Sequence, residues 1–185
     1  MSLEYVVRLL MLAILLSVPI AGCGKTNEGD KRDAPRRQES AALPGTFDRS
    51  EAGTAIPALA FEAPDGRRVR LDALDRPLLV NLWATWCAPC VAELPALDRL
   101  AESRAGELQV VAVSQDLQGW TMVRPFLAKA KLAHLFVLLD STGAFATAVA
   151  APGLPMTILY DASGREVWRV NGPREWDRPG GFRND

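Results

Sequence analysis

The stretch Leu78-Leu79-Val80-Asn81-Leu82-Trp83-Ala84-Thr85-Trp86-Cys87-Ala88-Pro89-Cys90 carries the strongest local signal in this 185-residue chain. Its first half is nearly all apolar, as expected of a central strand covered on both faces. Its second half opens a helix expected from about Cys87 to Arg104, with Leu94, Leu97 and Leu100 on the inner side. A Cys-x-x-Cys at a strand-to-helix junction is a redox arrangement. Cys87 falls where unpaired backbone N–H groups and the helix dipole favour an anion, so its thiolate is the expected attacking species. Cys90, one turn on, lies on the same side of the helix. It can attack a mixed disulfide formed at Cys87, leaving a Cys87–Cys90 disulfide behind. Pro89 occupies the first turn, where a missing N–H costs nothing.

Pro57 to Ala63 and Arg67 to Leu71 read as a hairpin around the turn Pro64-Asp65-Gly66. Gln109 to Ser114 is a second buried strand, Trp120 to Lys131 a helix, Leu135 to Leu139 a strand and Gly143 to Val149 a short helix. Met156 to Tyr160 and Glu166 to Val170 form a closing hairpin around Asp161-Ala162-Ser163-Gly164. Alternating strands and helices followed by a hairpin imply an α/β fold, a mixed sheet with helices on both faces.

Composition narrows the chemistry. The net charge of −1 gives no basic excess, so nucleic acid is not an expected partner. The chain holds 3 Cys and 1 His, too few for most metal constellations. A zinc site on Cys87 and Cys90 would have only Cys23 and His134 to complete it. A purely structural disulfide is the other bland reading, but so small a loop constrains little of the unfolded chain. His134, among apolar neighbours and far from the motif, reads as a strand-edge residue. No metal and no cofactor is expected.

The N-terminus has a separate logic. Leu9 to Ile20 is an almost unbroken apolar run, too short to span a bilayer and suited to a secretory signal. Ile20-Ala21-Gly22-Cys23 then resembles a bacterial lipobox, in which the cysteine is lipidated. The third cysteine is thereby accounted for, since a free thiol is a liability in an oxidising compartment. Residues 1–22 are therefore expected to be a lipoprotein signal peptide. Residues 23–50, polar and without periodicity, are expected to be a lipid-anchored flexible linker. Residues 51–185 are expected to be the folded domain.

Three separated segments, Asn81 to Cys90, Glu93-Leu94-Pro95 and Gly153-Leu154-Pro155-Met156-Thr157, make the chain resemble the TlpA/ResA-like branch of the thioredoxin superfamily. Those proteins are anchored thiol–disulfide oxidoreductases of bacterial envelopes. The resemblance implies a thioredoxin-like α/β/α sandwich with an N-terminal β-hairpin extension. It implies that Cys87 is the nucleophile and Cys90 the resolving thiol. Pro155 matches a cis-proline facing the cysteines, with the backbone of Leu154 left to pair with an extended substrate segment. Glu93 matches an acidic residue that tunes the pair and moves protons. Soluble thioredoxins carry a buried aspartate where this chain has Asn81, which cannot titrate, so the proton role falls to Glu93. Pro95 is read as structural. Trp83 is read as core beneath the site, and Trp86 as packing at its rim with substrate contact as the alternative.

The implied partners are cysteine-containing envelope proteins, including apocytochrome c, and a membrane electron donor of the thiol–disulfide relay type. The implied location is the envelope, facing the periplasm, on a lipid anchor. A copper-binding chaperone on the same fold, a thiol peroxidase and a redox-silent binding module are the rival functions. The resemblance also marks a departure. The family's C-terminal helix is expected to be missing or shortened here, because Pro179-Gly180-Gly181 interrupts what Glu175-Trp176-Asp177 begins. Apolar sheet surface would then lie open unless something else covers it.

Overall fold

Strand β4, Leu78–Trp83, has all six of its residues buried. Its side chains part to two faces with period two. Leu79 and Trp83 enter one apolar cluster, and Leu78, Val80 and Leu82 enter the other. A single hydrophobic run thus supplies both cores. The computed structural model describes residues 45–182, and β4 lies at the centre of its sheet.

The other strands are β1 (Phe47–Asp48), β2 (Ala60–Glu62), β3 (Arg68–Arg70), β5 (Gln109–Ser114), β6 (Phe136–Leu139), β7 (Met156–Tyr160) and β8 (Glu166–Asn171). The helices are α1 (Ala88–Ser103), α2 (Trp120–Ala130) and α3 (Ala144–Ala148). The strands lie in the order β1-β8-β7-β4-β5-β6-β2-β3. Strand β4 pairs in parallel with β5 and antiparallel with β7, and β5 pairs in parallel with β6. This is the mixed sheet and thioredoxin-like fold expected from the sequence. The β2–β3 hairpin extends the sheet through a Glu62↔Leu139 pairing with β6.

One face is covered by α1 and α2. Leu94, Leu97 and Leu100 of α1 and Val123 of α2 join Leu79, Val110 and Ala112 there. The other face is closed by Phe145 of α3 with Ile56, Phe61 and Leu71 from the N-terminal segment. Each fully buried aliphatic or aromatic side chain contributes about 1.5–3 kcal/mol.

The signal peptide, Cys23 and most of the linker lie outside the described residues. The last residues given to the linker belong instead to the sheet edge. Phe47 pairs with Val170 of β8 and sets its ring edge-on to Trp168 at 4.7 Å. A two-residue strand carries too little periodicity to be read from sequence.

Among the described residues no helix follows β8, in line with the interruption at Pro179-Gly180-Gly181. The apolar face is nevertheless covered, and the tail does it. Trp176 is 1% exposed and stacks on Trp168 at 6.3 Å, with Phe182 edge-on to the same ring at 6.1 Å. The tail turns back on itself at the glycine pair. Gly180 takes a φ of +77°, and a Cβ on Gly181 would stand 2.1 Å from the Glu175 carbonyl oxygen. The residues that stop a helix are the ones this turn requires.

Beneath the sheet edge, Arg169 donates from Nε and Nη2 to the two carboxylate oxygens of Glu166, each at 2.6 Å. Its Nη1 donates to the Val149 carbonyl at 2.9 Å, tying β8 to the end of α3. Arg169→Met strands a buried carboxylate, and is expected to destabilise the domain by about 3–5 kcal/mol in urea unfolding. A loss below about 1 kcal/mol would show that the pair is not holding this corner.

Candidate active site

The end of β4 delivers the cysteines. Trp83 is buried beneath the turn, and its carbonyl accepts from Gln115 N at 2.8 Å. The chain then swings outward through Ala84, Thr85 and Trp86 and re-enters as α1. Cys87 is the N-cap of that helix in extended conformation, and its Sγ accepts from Cys90 N at 3.4 Å. The two cysteines are joined as a disulfide with their Cα atoms 5.3 Å apart. Cys87 is 6% exposed and Cys90 fully buried. That asymmetry fits an outer sulfur open to attack and an inner sulfur reached only through it.

The turn is clamped from β5. Asp116, 2% exposed, accepts from Thr85 N at 3.0 Å and Thr85 Oγ1 at 2.6 Å. It also accepts from Ser114 Oγ at 2.8 Å. Thr85 is thus held by two bonds, two residues before Cys87. Nothing in the sequence reading singled out Asp116. Its signal was a carboxylate two residues past a buried strand parallel to β4, which is where a side chain reaches the neighbouring strand's exit loop.

Glu93 lies three residues beyond Cys90 on α1, on the neighbouring helix position. It is 5% exposed. Its Oε1 accepts from Asn81 Nδ2 at 2.7 Å, and its Oε2 accepts from Arg174 N at 3.1 Å and Trp176 Nε1 at 3.2 Å. Asn81 Nδ2 also donates to Thr157 Oγ1 at 3.0 Å. Burial away from water pushes the Glu93 carboxyl up to about 7, against the opposing pull of the Arg174, Asn81 and Trp176 donors. A carboxyl poised near neutrality can both give and take a proton at working pH.

The Leu154–Pro155 peptide is cis. Pro155 is buried and directly precedes Met156, which pairs with Leu82. It therefore stands at the same sheet end from which β4 leads into Cys87. Leu154 is partly buried against both apolar clusters. Trp86 departs from its expected packing: it is 71% exposed. A ring that reaches into solvent beside the disulfide is free to meet a substrate. Trp83 is fully buried, as core, and tilts against Phe126 at 5.2 Å. Pro95 lies within α1 on its exposed side. His134 stays on the surface, with Nε2 3.6 Å from Glu102 Oε1, and is not brought to the site. Among the described residues no three His, Cys, Asp or Glu side chains cluster as a metal site.

Comparison with known proteins agrees with this geometry. A family model described as Redoxin matches residues 51–182. Over 178 residues the chain is 28% identical to the Thiol:disulfide interchange protein DsbE of Escherichia coli, covering 92% of this chain and 89% of that one. A 65-residue stretch is 38% identical to Thioredoxin-like protein YneN of Bacillus subtilis, 35% of this chain and 38% of that protein's length. Among solved structures, a putative Thiol:disulfide interchange protein DsbE from Chlorobium tepidum superposes with a TM-score of 0.62 at 28% identity, covering 68% of this chain and 89% of that one.

The Glu93 environment has a consequence for stability. Its folded carboxyl titrates near 7, above the ordinary 4.5, so the fold favours the protonated form. The stability it contributes is fully present below about 4.5 and is lost as pH rises through about 7, on the order of 3 kcal/mol in all. In the oxidised protein, Glu93→Gln is expected to lose that dependence. The stability difference between wild type and variant, from urea unfolding, should fall by that amount between about pH 4 and about pH 8. A difference flat across that range would contradict the buried titration.

Proposed function

The chain belongs to the Redoxin family, and from that premise we propose that it reduces disulfides of envelope proteins from a lipid anchor on the membrane. It is a thioredoxin-fold thiol–disulfide oxidoreductase of the DsbE/ResA/CycY/TlpA-like group, with Cys87 and Cys90 as the redox pair. The observation that carries the reading is the half-open pair: Cys87 at the helix N-cap, Cys90 sealed behind it, and the near-neutral Glu93 carboxyl one turn further on.

In the reduced protein the Cys87 thiolate attacks one sulfur of the substrate disulfide. A Cys87–substrate disulfide forms, the substrate S–S bond breaks, and the departing thiolate takes a proton. Cys90 then gives its proton to the Glu93 carboxylate and attacks Cys87 Sγ. The substrate leaves with both sulfurs reduced, and the Cys87–Cys90 disulfide remains. A membrane dithiol donor returns the two electrons. An extended substrate segment lies along the backbone of Leu154 beside Pro155, as an added strand, with Trp86 against its flank. Lipidated Cys23 and the polar segment after it hold the domain at the periplasmic face of a membrane. Names borne by the similar proteins, which describe thiol:disulfide interchange, support this chemistry.

A trapping experiment tests the roles of the two cysteines. The probe is an oxidised Cys-x-x-Cys-His peptide of the haem-attachment type. Cys90→Ser is expected to accumulate a covalent adduct at Cys87 that dithiothreitol releases. Cys87→Ser should form none, and both variants should lose more than about a hundredfold in turnover. An adduct through Cys90 in Cys87→Ser would reverse the assignment. A Cys90→Ser variant that turns over normally would remove the two-cysteine mechanism altogether.

A further inference from the structure

The tail after β8 does more than cover the sheet. Two of the three hydrogen-bond donors on the Glu93 carboxylate come from it, Arg174 N and Trp176 Nε1. We infer that Trp176 is a positioning residue for the redox reaction: its indole N–H fixes Glu93 Oε2 and lowers the pH at which that carboxyl exchanges protons with the cysteine pair. The inference rests on the reading of Glu93 as the proton-transfer group.

The chemistry of the three donors separates their roles. An indole N–H and a backbone N–H can only donate, so both favour the carboxylate over the acid. Asn81 differs, because an amide can present either Nδ2 or Oδ1. In this structure Nδ2 faces Glu93, and Oδ1 is buried with no hydrogen-bond partner among the described residues. Turned over, the same amide accepts from a protonated Glu93. Asn81 therefore tolerates both states of the acid, whereas the tail contacts discriminate between them.

The tail is built to hold that indole in one place. Trp176 is stacked on Trp168 with only 9° between the ring planes. The Arg174 guanidinium donates to the Gly181 carbonyl at 2.7 Å and the Gly180 carbonyl at 2.6 Å, and lies 4.2 Å over the Phe47 ring. Those guanidinium contacts hold the segment in place, while the Arg174 backbone N–H donates to Glu93 Oε2. The remaining charges around the groove between α1 and the tail are paired with one another. Arg99 meets Asp177 at 2.7 Å, and Arg178 meets Glu175 at 2.9 Å. That groove, about 710 Å³, has Glu93 and Pro89 in its wall. Burial sets the direction of the Glu93 shift, and the indole N–H, with the Arg174 backbone N–H and Asn81, pulls against it.

The test is a ¹³C titration of the Glu93 side-chain carboxyl in the oxidised protein, its resonance assigned with Glu93→Gln. Alongside it runs the pH profile of the reduced protein's reaction with glutathione disulfide. Trp176→Phe keeps an aromatic ring at this position and deletes the N–H. The Glu93 midpoint, near 7 in the wild type, is expected to rise by roughly one pH unit, and the rate profile to move with it. In a Glu93→Gln background, Trp176→Phe should no longer move the profile. An unchanged Glu93 midpoint in Trp176→Phe overturns the inference. If the midpoint moves but Glu93→Gln leaves the rate profile as it was, the proton-transfer reading of Glu93 fails instead. If Trp176→Phe does not fold, the wild type still decides the matter. The Trp176 indole ¹H–¹⁵N resonance should titrate with the Glu93 midpoint, and an indole signal constant across that range overturns the inference.

Discussion

The hydrogen bond from Asn81 Nδ2 to Glu93 Oε1, 2.7 Å long and fully buried, ties the central strand to the redox helix. It exists because β4 is apolar at every position but one. Leu79 and Trp83 face α1, and Asn81, between them in the same register, faces it too. A lone polar side chain in such a place must be matched, and Glu93 and Thr157 match it. Glu93 in turn draws in the tail. A small polar cluster thus spans β4, β7, α1 and the C-terminal segment, with Glu93 three residues beyond Cys90 on the helix.

The same strand end governs the exposed half of the site. Because β4 stops at Trp83, the chain must turn at once into α1, and the N-cap position falls on Cys87. Asp116 fixes that turn from the neighbouring parallel strand through Thr85. The cysteines are therefore held from three sides: by the helix they begin, by a carboxylate just past the end of β5, and by the buried cluster reaching Glu93. Rigid elements rather than loops set the spacing of the reacting sulfurs, as a site that must cycle between two covalent states requires.

Much of this was legible in the sequence, and the reasons are physical. The apolar run of β4 and the leucine spacing of α1 are long enough to show their periods. The cysteine spacing carries its own chemistry, and Pro155 stands in a recognisable segment. What could not be read depended on tertiary contact. Phe47 sits in a polar stretch and becomes a strand only by packing on Trp168. Asp116 looks like any turn residue until Thr85 is brought against it. Trp86 suggested packing, yet it is exposed. The tail was recognisable as a broken helix, but its folding back depends on contacts that run from residue 93 to residue 176. No local pattern encodes a bond over that separation.

Direction of electron flow is the central claim, and the reduction potential of the Cys87–Cys90 pair tests it most directly. The protein is equilibrated in glutathione and dithiothreitol buffers at pH 7, and the oxidised fraction is followed by tryptophan fluorescence and thiol alkylation. A reductase fed by a membrane donor should lie near the thioredoxin value of about −270 mV. A potential near about −120 mV, that of a strong disulfide donor, would contradict the reductive role and make the protein an oxidant of its partners.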